Sequence, residues 1–173
     1  MSKANIDIII LDEIDSTNNE AQRVLNYKSN FPFWIIANEQ TSGRGRKNRY
    51  WVSQKGNFMG TFVLEHKIEK QYIPHLSFVT SLALRETIEG FNKGDKEIFL
   101  KWPNDIIIKD SKCAGILIES LKSNSDKEYL AIGIGVNLIN HPSKSSFKAT
   151  SLKKEFNVNI GRDEFLNKLN NNF

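Results

Sequence analysis

Gly43-Arg44-Gly45-Arg46-Lys47-Asn48-Arg49 places four cations and two glycines in one short segment, with no acid among them. Glycine lets a backbone approach a ligand closely, and successive amides in such a turn can form a nest for an anion. Arginine adds planar donor forks that match carboxylate or phosphate. A solvated surface loop is the alternative. Against it stands the concentration of arginine, since half of the chain's arginines fall here in a sequence that elsewhere prefers lysine. The segment approaches the dinucleotide fingerprint G-x-G-x-x-G, with Asn48 in the third glycine's place. However, Tyr50-Trp51-Val52 leads towards a strand where that motif requires a helix, so a Rossmann site is rejected.

A second group surrounds Lys101-Trp102-Pro103-Asn104-Asp105. A lysine ends the apolar run Ile98-Phe99-Leu100, proline then sets the turn, and Asn104 can bond its own backbone or a ligand. Lys101 reads either as an anchored cation in a cleft or as a strand-end lysine reaching for water, which is the commoner case. Lys112-Cys113-Ala114-Gly115 adds another lysine and a glycine within a strand pattern, which marks a close backbone approach or a bulge. Gly133-Ile134-Gly135 reads as tight strand packing, with ligand approach the minority reading. The histidines (His66, His75, His141) are too scattered for a metal motif, there is no Walker A loop, and Cys113 reads as a small strand residue.

The elements that must position these groups follow from periodicity. Ile6–Leu11 is an expected buried strand, and Asp15-Ser16-Thr17 supplies caps for a helix to about Tyr27 with Ala21, Val24 and Leu25 on one face. Phe33–Asn38 and Asn57–Leu64 read as strands flanking the polar loop Gln40–Tyr50. Pro74 suits the first turn of a helix carrying Leu76, Val79, Leu82, Ala83 and Thr87. Strands are expected at Glu97–Lys101, Asp105–Ile108, Ala114–Glu119 and Tyr129–Asn137. Pro103 breaks the first pair, and Asp110-Ser111-Lys112 forms a hairpin turn. Asn140–Ala149 reads as a mobile loop, and a last helix at Asp163–Asn170 carries Phe165, Leu166 and Leu169. Hairpin strands with few helices indicate an α+β fold with a mixed, largely antiparallel sheet.

The 173 residues suit one domain, and 39% hydrophobic with 25% charged is ordinary globular composition. The formal charge is +4, and without the cations at 44, 46, 47 and 49 the chain is formally neutral. A general nucleic-acid binder would spread its basic residues over a face. One cysteine gives no sign of an oxidising compartment, and no apolar run approaches a signal sequence or membrane span, so a cytoplasmic protein is the default.

Five motifs in order, Asp15-Ser16-Thr17-Asn18, Glu39-Gln40-Thr41-Ser42-Gly43-Arg44-Gly45-Arg46, Lys101-Trp102-Pro103-Asn104-Asp105, Lys112-Cys113-Ala114-Gly115-Ile116-Leu117 and Gly133-Ile134-Gly135-Val136-Asn137, resemble the catalytic domain of biotin–protein ligases. The resemblance spans nearly the whole chain. It implies a sheet with packed helices like that of class II aminoacyl-tRNA synthetases and biotin synthetases. It also implies a two-step reaction, activation of biotin by ATP to biotinyl-5'-AMP and transfer to a lysine of a carboxylase's biotin carboxyl carrier domain. By motif position, Ser16, Thr17, Asn18, Gln40, Arg44, Gly45, Arg46, Lys101 and Gly115 are the expected biotin contacts. Gly43, Arg44, Arg46, Lys47, Arg49, Trp51, Asn104, Lys112 and Asn137 would meet ATP or the adenylate. Lys101 and Arg44 would carry catalysis as fixed cations. Magnesium with the triphosphate is implied by the family, no metal-ligating residue is assigned, and the resemblance leaves room for a homodimer.

Residues 1–173 are expected to form that catalytic domain. No N-terminal DNA-binding module is expected before the first strand, and the small C-terminal barrel of some relatives is expected to be absent or truncated. The enzymatic rival is a lipoate or octanoate ligase or transferase. A non-catalytic nucleic-acid-binding domain, stacking bases on Tyr50 and Trp51 beside the basic loop, is the rival of another class.

Overall fold

In a computed structural model the chain is described at residues 6–94, 96–124, 126–145 and 147–173. Seven strands form one sheet: β1 (Asp7–Ile14), β2 (Phe33–Gln40), β3 (Phe58–His66), β4 (Ile98–Lys101), β5 (Asp105–Ile108), β6 (Ser111–Leu121) and β7 (Glu128–Val136). Their order is β1-β2-β3-β7-β6-β5-β4. Every pairing is antiparallel except β1 with β2, which is parallel. Parallel neighbours need a crossover, and α1 (Thr17–Val24) supplies it. The helices α2 (His75–Glu89), α3 (Leu152–Phe156) and α4 (Arg162–Asn172) complete the fold, which is the expected α+β class. No helix among the described residues is long and apolar enough to cross a membrane.

Phe33 to Ala37 of β2 are all buried, because both faces of the sheet are covered there. Trp34 and Ile36 join Phe58, Ile116, Ile132 and Ile134 in the main core, into which α2 sends Leu84 and Ile88 and α4 sends Phe165 and Leu169. Phe33 and Ile35 face the other way, meeting Val63, Ala131 and Ala21 of α1. The short α1 leaves open the part of this second face above Gly115, Gly133 and Gly135. That opening is the cleft described below.

Several expectations need correction. The helix expected to reach Tyr27 ends at Val24 and passes into turns. On α2 the core face is Thr80, Ser81, Ala83, Leu84, Thr87 and Ile88, while Val79 is 61% and Leu82 52% exposed. Polar residues could turn inward because Ser81 and Thr87 donate to the carbonyls of Ser77 and Ala83 one turn back, which satisfies their hydroxyls without water. The β5–β6 turn is Lys109-Asp110, with Lys109 in the left-handed region at φ 55°. Strand β6 is longer than expected, pairing with β5 from Ser111 and with β7 as far as Leu121, and its ladder with β5 contains a bulge. Ile106 pairs with Ala114 but Ile107 pairs with Lys112, so Cys113 is the extra residue. The Asn140–Ala149 segment has no helix or strand, apart from Ser146, which lies outside the described residues. It is tied down near its end, where the Lys112 amide donates to the Lys148 carbonyl and the Thr150 amide to the Lys112 carbonyl.

The start of α1 shows how the first motif is built. Ser16 occupies the N-cap position without a side-chain capping bond. Instead, Gln40 Oε1 on β2 accepts from the Thr17 amide at 2.8 Å, meeting one of the helix's orphan donors. Asp15 accepts from Arg23 at 2.6 Å and from Asn19 at 2.7 Å. Partial burial disfavours its charge, but the hydrogen bonds from Arg23, Asn19 and the Ser16 backbone outweigh this and hold the carboxyl down to about 2. A depressed folded-state value means the contribution is complete above the ordinary carboxylate value and lost as pH falls through the folded one. Unfolding measured from about pH 4 down to about pH 2 is expected to show wild type losing stability more steeply than Asp15→Asn. Solvent screening keeps the difference small.

Candidate functional site

The cleft holds about 300 Å³, and its floor is made of glycine. Gly115 of β6 pairs with Gly135 of β7, and the Trp51 indole lies on that pair. A methyl group built on Gly135 would fall 2.5 Å from Trp51 Cε2, and one on Gly115 would fall 3.1 Å from Cζ3. Gly133, next along β7 on the same face, leaves the space taken by the Asn18 amide, whose Oδ1 would lie 2.4 Å from such a methyl. The bulge at Cys113 decides Lys112's place. A two-residue side-chain period would set Lys112 and Gly115 on opposite faces, and the extra residue brings both to the cleft. Cys113 itself turns into the core, where burial, with a smaller contribution from Glu155, pushes its thiol far up. The thiol is inert there.

Above Gly133 lies a buried uncharged network. Gln40 Nε2 donates to Ser53 at 2.8 Å, and Gln40 Oε1 faces both the amide and the hydroxyl of Thr17. Thr61 Oγ1 sits 2.8 Å from Thr17 Oγ1 and 2.6 Å from Asn18 Oδ1. Asn18 Nδ2 donates to Glu119 at 2.8 Å. Such a satisfied network holds each polar group in one orientation.

The glycine-arginine loop is closed by its own backbone. Trp51 N donates to the Gly43 carbonyl at 2.8 Å and Gly45 N to that of Arg49 at 2.7 Å. The second bond commits an amide that the anion-nest reading had offered to a ligand. Lys47 takes the left-handed conformation at φ 56°, one position before the Asn48 that the glycine fingerprint pointed to. Gly43 is a packing glycine, because a methyl there would strike the Trp51 carbonyl at 2.4 Å. Gly45 is different: its φ of −123° suits any residue, and a methyl would meet nothing nearer than 3.5 Å.

Lys101 ends edge strand β4 at the cleft, and the turn after it is clamped. The Trp102–Pro103 bond is cis, Ser77 Oγ donates to the Pro103 carbonyl at 2.6 Å, and Asn104 Nδ2 donates to the Ile116 carbonyl at 2.8 Å. Asn104 therefore anchors the turn to β6 as well as lining the cleft. Lys112 Nζ lies 2.6 Å from Asp105 Oδ1. Because that buried oxygen lies outside hydrogen-bond geometry, their contact is electrostatic. The ammonium also sits 5.4 Å from the Trp51 ring centroid and 5.2 Å from that of Phe147, within cation–π range. Arg44 pairs with Glu119 at 2.6 Å. Among the described residues Arg46, Arg49 and Lys101 have no acidic partner, so the cleft carries uncompensated positive charge.

Of the residues singled out in the sequence, Ser16, Thr17, Asn18, Gln40, Arg44, Gly45, Arg46, Arg49, Trp51, Lys101, Asn104, Lys112 and Gly115 line this one cleft. Gly43, Lys47 and Asn137 do not. Asn137 is buried, donates to the Thr150 carbonyl at 3.0 Å and borders an adjoining crevice. Sequence reasoning favoured strand packing over ligand approach for Gly133 and Gly135, which line the cleft. Their alternation on one strand was the available signal. Glu119, Phe147 and Lys148 carried no signal of their own.

The sequence profile of the biotin/lipoate A/B protein ligase family matches residues 11–137. The chain belongs to this family. Across 92% of its length it is 36% identical to the biotin–[acetyl-CoA-carboxylase] ligase of Paracoccus denitrificans, of which it covers 68%. The structure of Leishmania major biotin protein ligase in complex with biotinyl-5-AMP superposes with a TM-score of 0.84 and 29% identity, over 98% of this chain and 74% of that one. The Aquifex aeolicus biotin protein ligase in complex with biotin and ATP gives 0.79 and 32%, over 96% and 68%. As a member of the biotin/lipoate ligase family, the chain has the synthetase-like sheet that its motifs implied, and the matched residues include every cleft-lining motif described above.

Proposed function

We propose that this chain is an ATP-dependent biotin–protein ligase. It forms biotinyl-5'-AMP from biotin and ATP, then transfers biotin to a lysine of a carboxylase's carrier domain. The observation that carries this is one cleft joining two chemistries. Ser16, Thr17, Asn18 and Gln40 give an uncharged hydrogen-bonding end suited to a polar ring, and Arg46, Arg49 and Lys101 give unpaired cations suited to a carboxylate meeting a phosphate.

In the first step biotin's carboxylate oxygen attacks the α-phosphorus of ATP, an O–P bond forms, and pyrophosphate leaves. Two anions must approach each other, so the cations oppose repulsion that would otherwise raise the barrier. Charges about 4 Å apart at an effective dielectric near 20 attract by roughly 4 kcal/mol before desolvation. In the second step a carrier lysine's amine attacks the acyl carbon of the mixed anhydride, the amide forms, and AMP leaves. Lys101 and Arg44 act as fixed charges, and Trp51 and Lys112 border the nucleotide. Magnesium accompanying the triphosphate is part of the family reading, and among the described residues no group of three or more His, Cys, Asp or Glu could hold a metal ion. A cytoplasmic setting follows from the sequence default, and light scattering would read whether the enzyme is a homodimer.

Transfer of biotin to a purified carrier domain tests both steps, with a mass increase of one biotinyl group expected on the carrier. Pyrophosphate release without carrier isolates the first step. Thermal stabilisation by lipoate with ATP, and none by biotin with ATP, would favour the lipoate reading instead. The nucleic-acid reading loses support because three of its four cations, Arg44, Arg46 and Arg49, border one cleft rather than a broad face.

Gly45 yields a sharper test, since nothing in the empty fold requires glycine there. Gly45→Ala is expected to change stability by less than about 1 kcal/mol. It should nonetheless raise the KM for biotin about tenfold or more, because the added methyl stands where the backbone must approach the ligand. Denaturant unfolding and pyrophosphate kinetics measure the two effects separately.

A further inference from the structure

Glu119 stands near the end of β6, on the face that carries Gly115 and Leu117 to the cleft. One of its oxygens, Oε2, accepts from two donors at once: Arg44 Nη2 at 2.6 Å and Asn18 Nδ2 at 2.8 Å. These donors come from the two parts of the site that recognise different halves of a ligand. Arg44 belongs to the cationic loop, and Asn18 belongs to the uncharged network over Gly133. No other described residue bonds both.

The carboxylate also imposes direction on that network. A carboxylate only accepts, so Asn18 must point its NH₂ towards Glu119 and leave Oδ1 as an acceptor for Thr61. Thr61 has a single hydroxyl proton, and Asn18 takes it. The 2.8 Å contact between Thr61 and Thr17 then requires the Thr17 hydroxyl to donate to Thr61. Gln40 Oε1, which also accepts from the Thr17 amide, is the more distant acceptor for that hydroxyl at 3.1 Å, and donation to either leaves the Thr17 lone pairs free. The lone pairs of Thr17 Oγ1 are thereby left for an N–H of the ligand. At the other donor, Glu119 engages Nη2 only, which leaves most of the five-donor guanidinium fork for an anion.

We propose that Glu119 is a positioning residue that sets the ring end and the anion end of the site together, aiming Arg44 at the ligand's carboxylate and orienting Asn18 so that Thr17 accepts from the ligand's N–H. The proposal deepens the ligase reading and rests on it. Its chemistry predicts an asymmetry between two substitutions. In Glu119→Gln the amide oxygen can still accept from both donors, and the orientation survives without the charge. In Glu119→Ala Arg44 loses its partner, and Asn18 Nδ2 keeps only its long 3.4 Å bond to the Leu117 carbonyl.

The test is biotin binding by calorimetry and pyrophosphate kinetics on wild type, E119Q and E119A, with melting temperatures for all three. E119A is expected to weaken biotin binding about 10- to 100-fold, as misplacement of a binding group does. Its KM for ATP should change less than about threefold, and its melting temperature should fall by no more than about 4 °C, the cost of one weakened buried bond. E119Q is expected to stay within about threefold of wild type in biotin affinity, because the geometry is kept. Equal or tighter binding by both variants would overturn the proposal, since Glu119 would then merely compete with the ligand for Arg44. So would a common large drop in melting temperature with unchanged biotin affinity in the folded fraction, which marks a structural role. A wild type that does not bind biotin would overturn the ligase reading and this inference with it. A wild type that binds, beside an E119A that binds equally well, would overturn this inference alone.

Discussion

Lys101→Met is expected to reduce biotin-dependent pyrophosphate release by at least about 100- to 1000-fold, the scale seen when a donor aimed at developing charge is removed. The melting temperature should stay within about 2 °C of wild type. The two halves of the prediction come from different features of the same residue. Lys101 is exposed at the end of an edge strand, so its ammonium adds little to folding. Among the described residues it has no acidic partner, so nothing else in the protein uses its charge. The turn behind it is held by Ser77, Pro103 and Asn104, and those bonds survive the substitution because none involves the lysine side chain. Methionine preserves much of the stem and removes only the charge. Near-normal pyrophosphate release would refute the role assigned to Lys101, and a large loss of stability would show that the ammonium supports the fold after all.

Gly133→Ala is expected to act in the opposite way, through the floor of the site. The new methyl would lie 2.4 Å from Asn18 Oδ1 and 3.1 Å from its Cγ, so the amide must move. Moving it breaks the contacts with Thr61 and Glu119, in a region where Thr61 is fully buried and Asn18 nearly so. Overpacking and a lost buried partner each cost about 1 to 3 kcal/mol, so denaturant unfolding should register a loss of about 2 to 4 kcal/mol. Biotin affinity should fall about 100-fold in protein that remains folded, because the residues displaced are those assigned to the ring end. Unchanged calorimetric affinity would place biotin away from Asn18.

Both predictions concern residues that stood out in the sequence to different degrees. Lys101 was visible because a charge at the end of Ile98-Phe99-Leu100, followed by proline, departs from strand chemistry. The arginines were visible because they are clustered in a chain that otherwise uses lysine. The strand and helix boundaries were close wherever periodicity was strong, as in Asp163–Asn170 against the observed Arg162–Asn172. Helix α2 was read partly on the wrong face: Ala83 and Thr87 are buried as expected, and Val79 and Leu82 are exposed. Val79 and Leu82 look like core residues by type, and Ser81 does not, until the main-chain carbonyl of Ser77 one turn back satisfies its hydroxyl.

What the sequence determined by itself was the inventory: an α+β chain whose five motifs carry a cationic loop, an anchored lysine and a polar helix start, arranged as in biotin–protein ligases. That information is local, because it depends on residue types and their spacing. The tertiary structure decided which of those residues share one space and which serve the fold. The bulge at Cys113 turned Lys112 to the face of Gly115. The pairing of β6 with β7 set Gly115 against Gly135 as a bed for Trp51. Asn137 was drawn into a buried bond with Thr150, and Glu119 was brought to Arg44 and Asn18 across 75 and 101 residues of chain. Strand register and bulges depend on pairing between distant segments, and no window of sequence contains both partners.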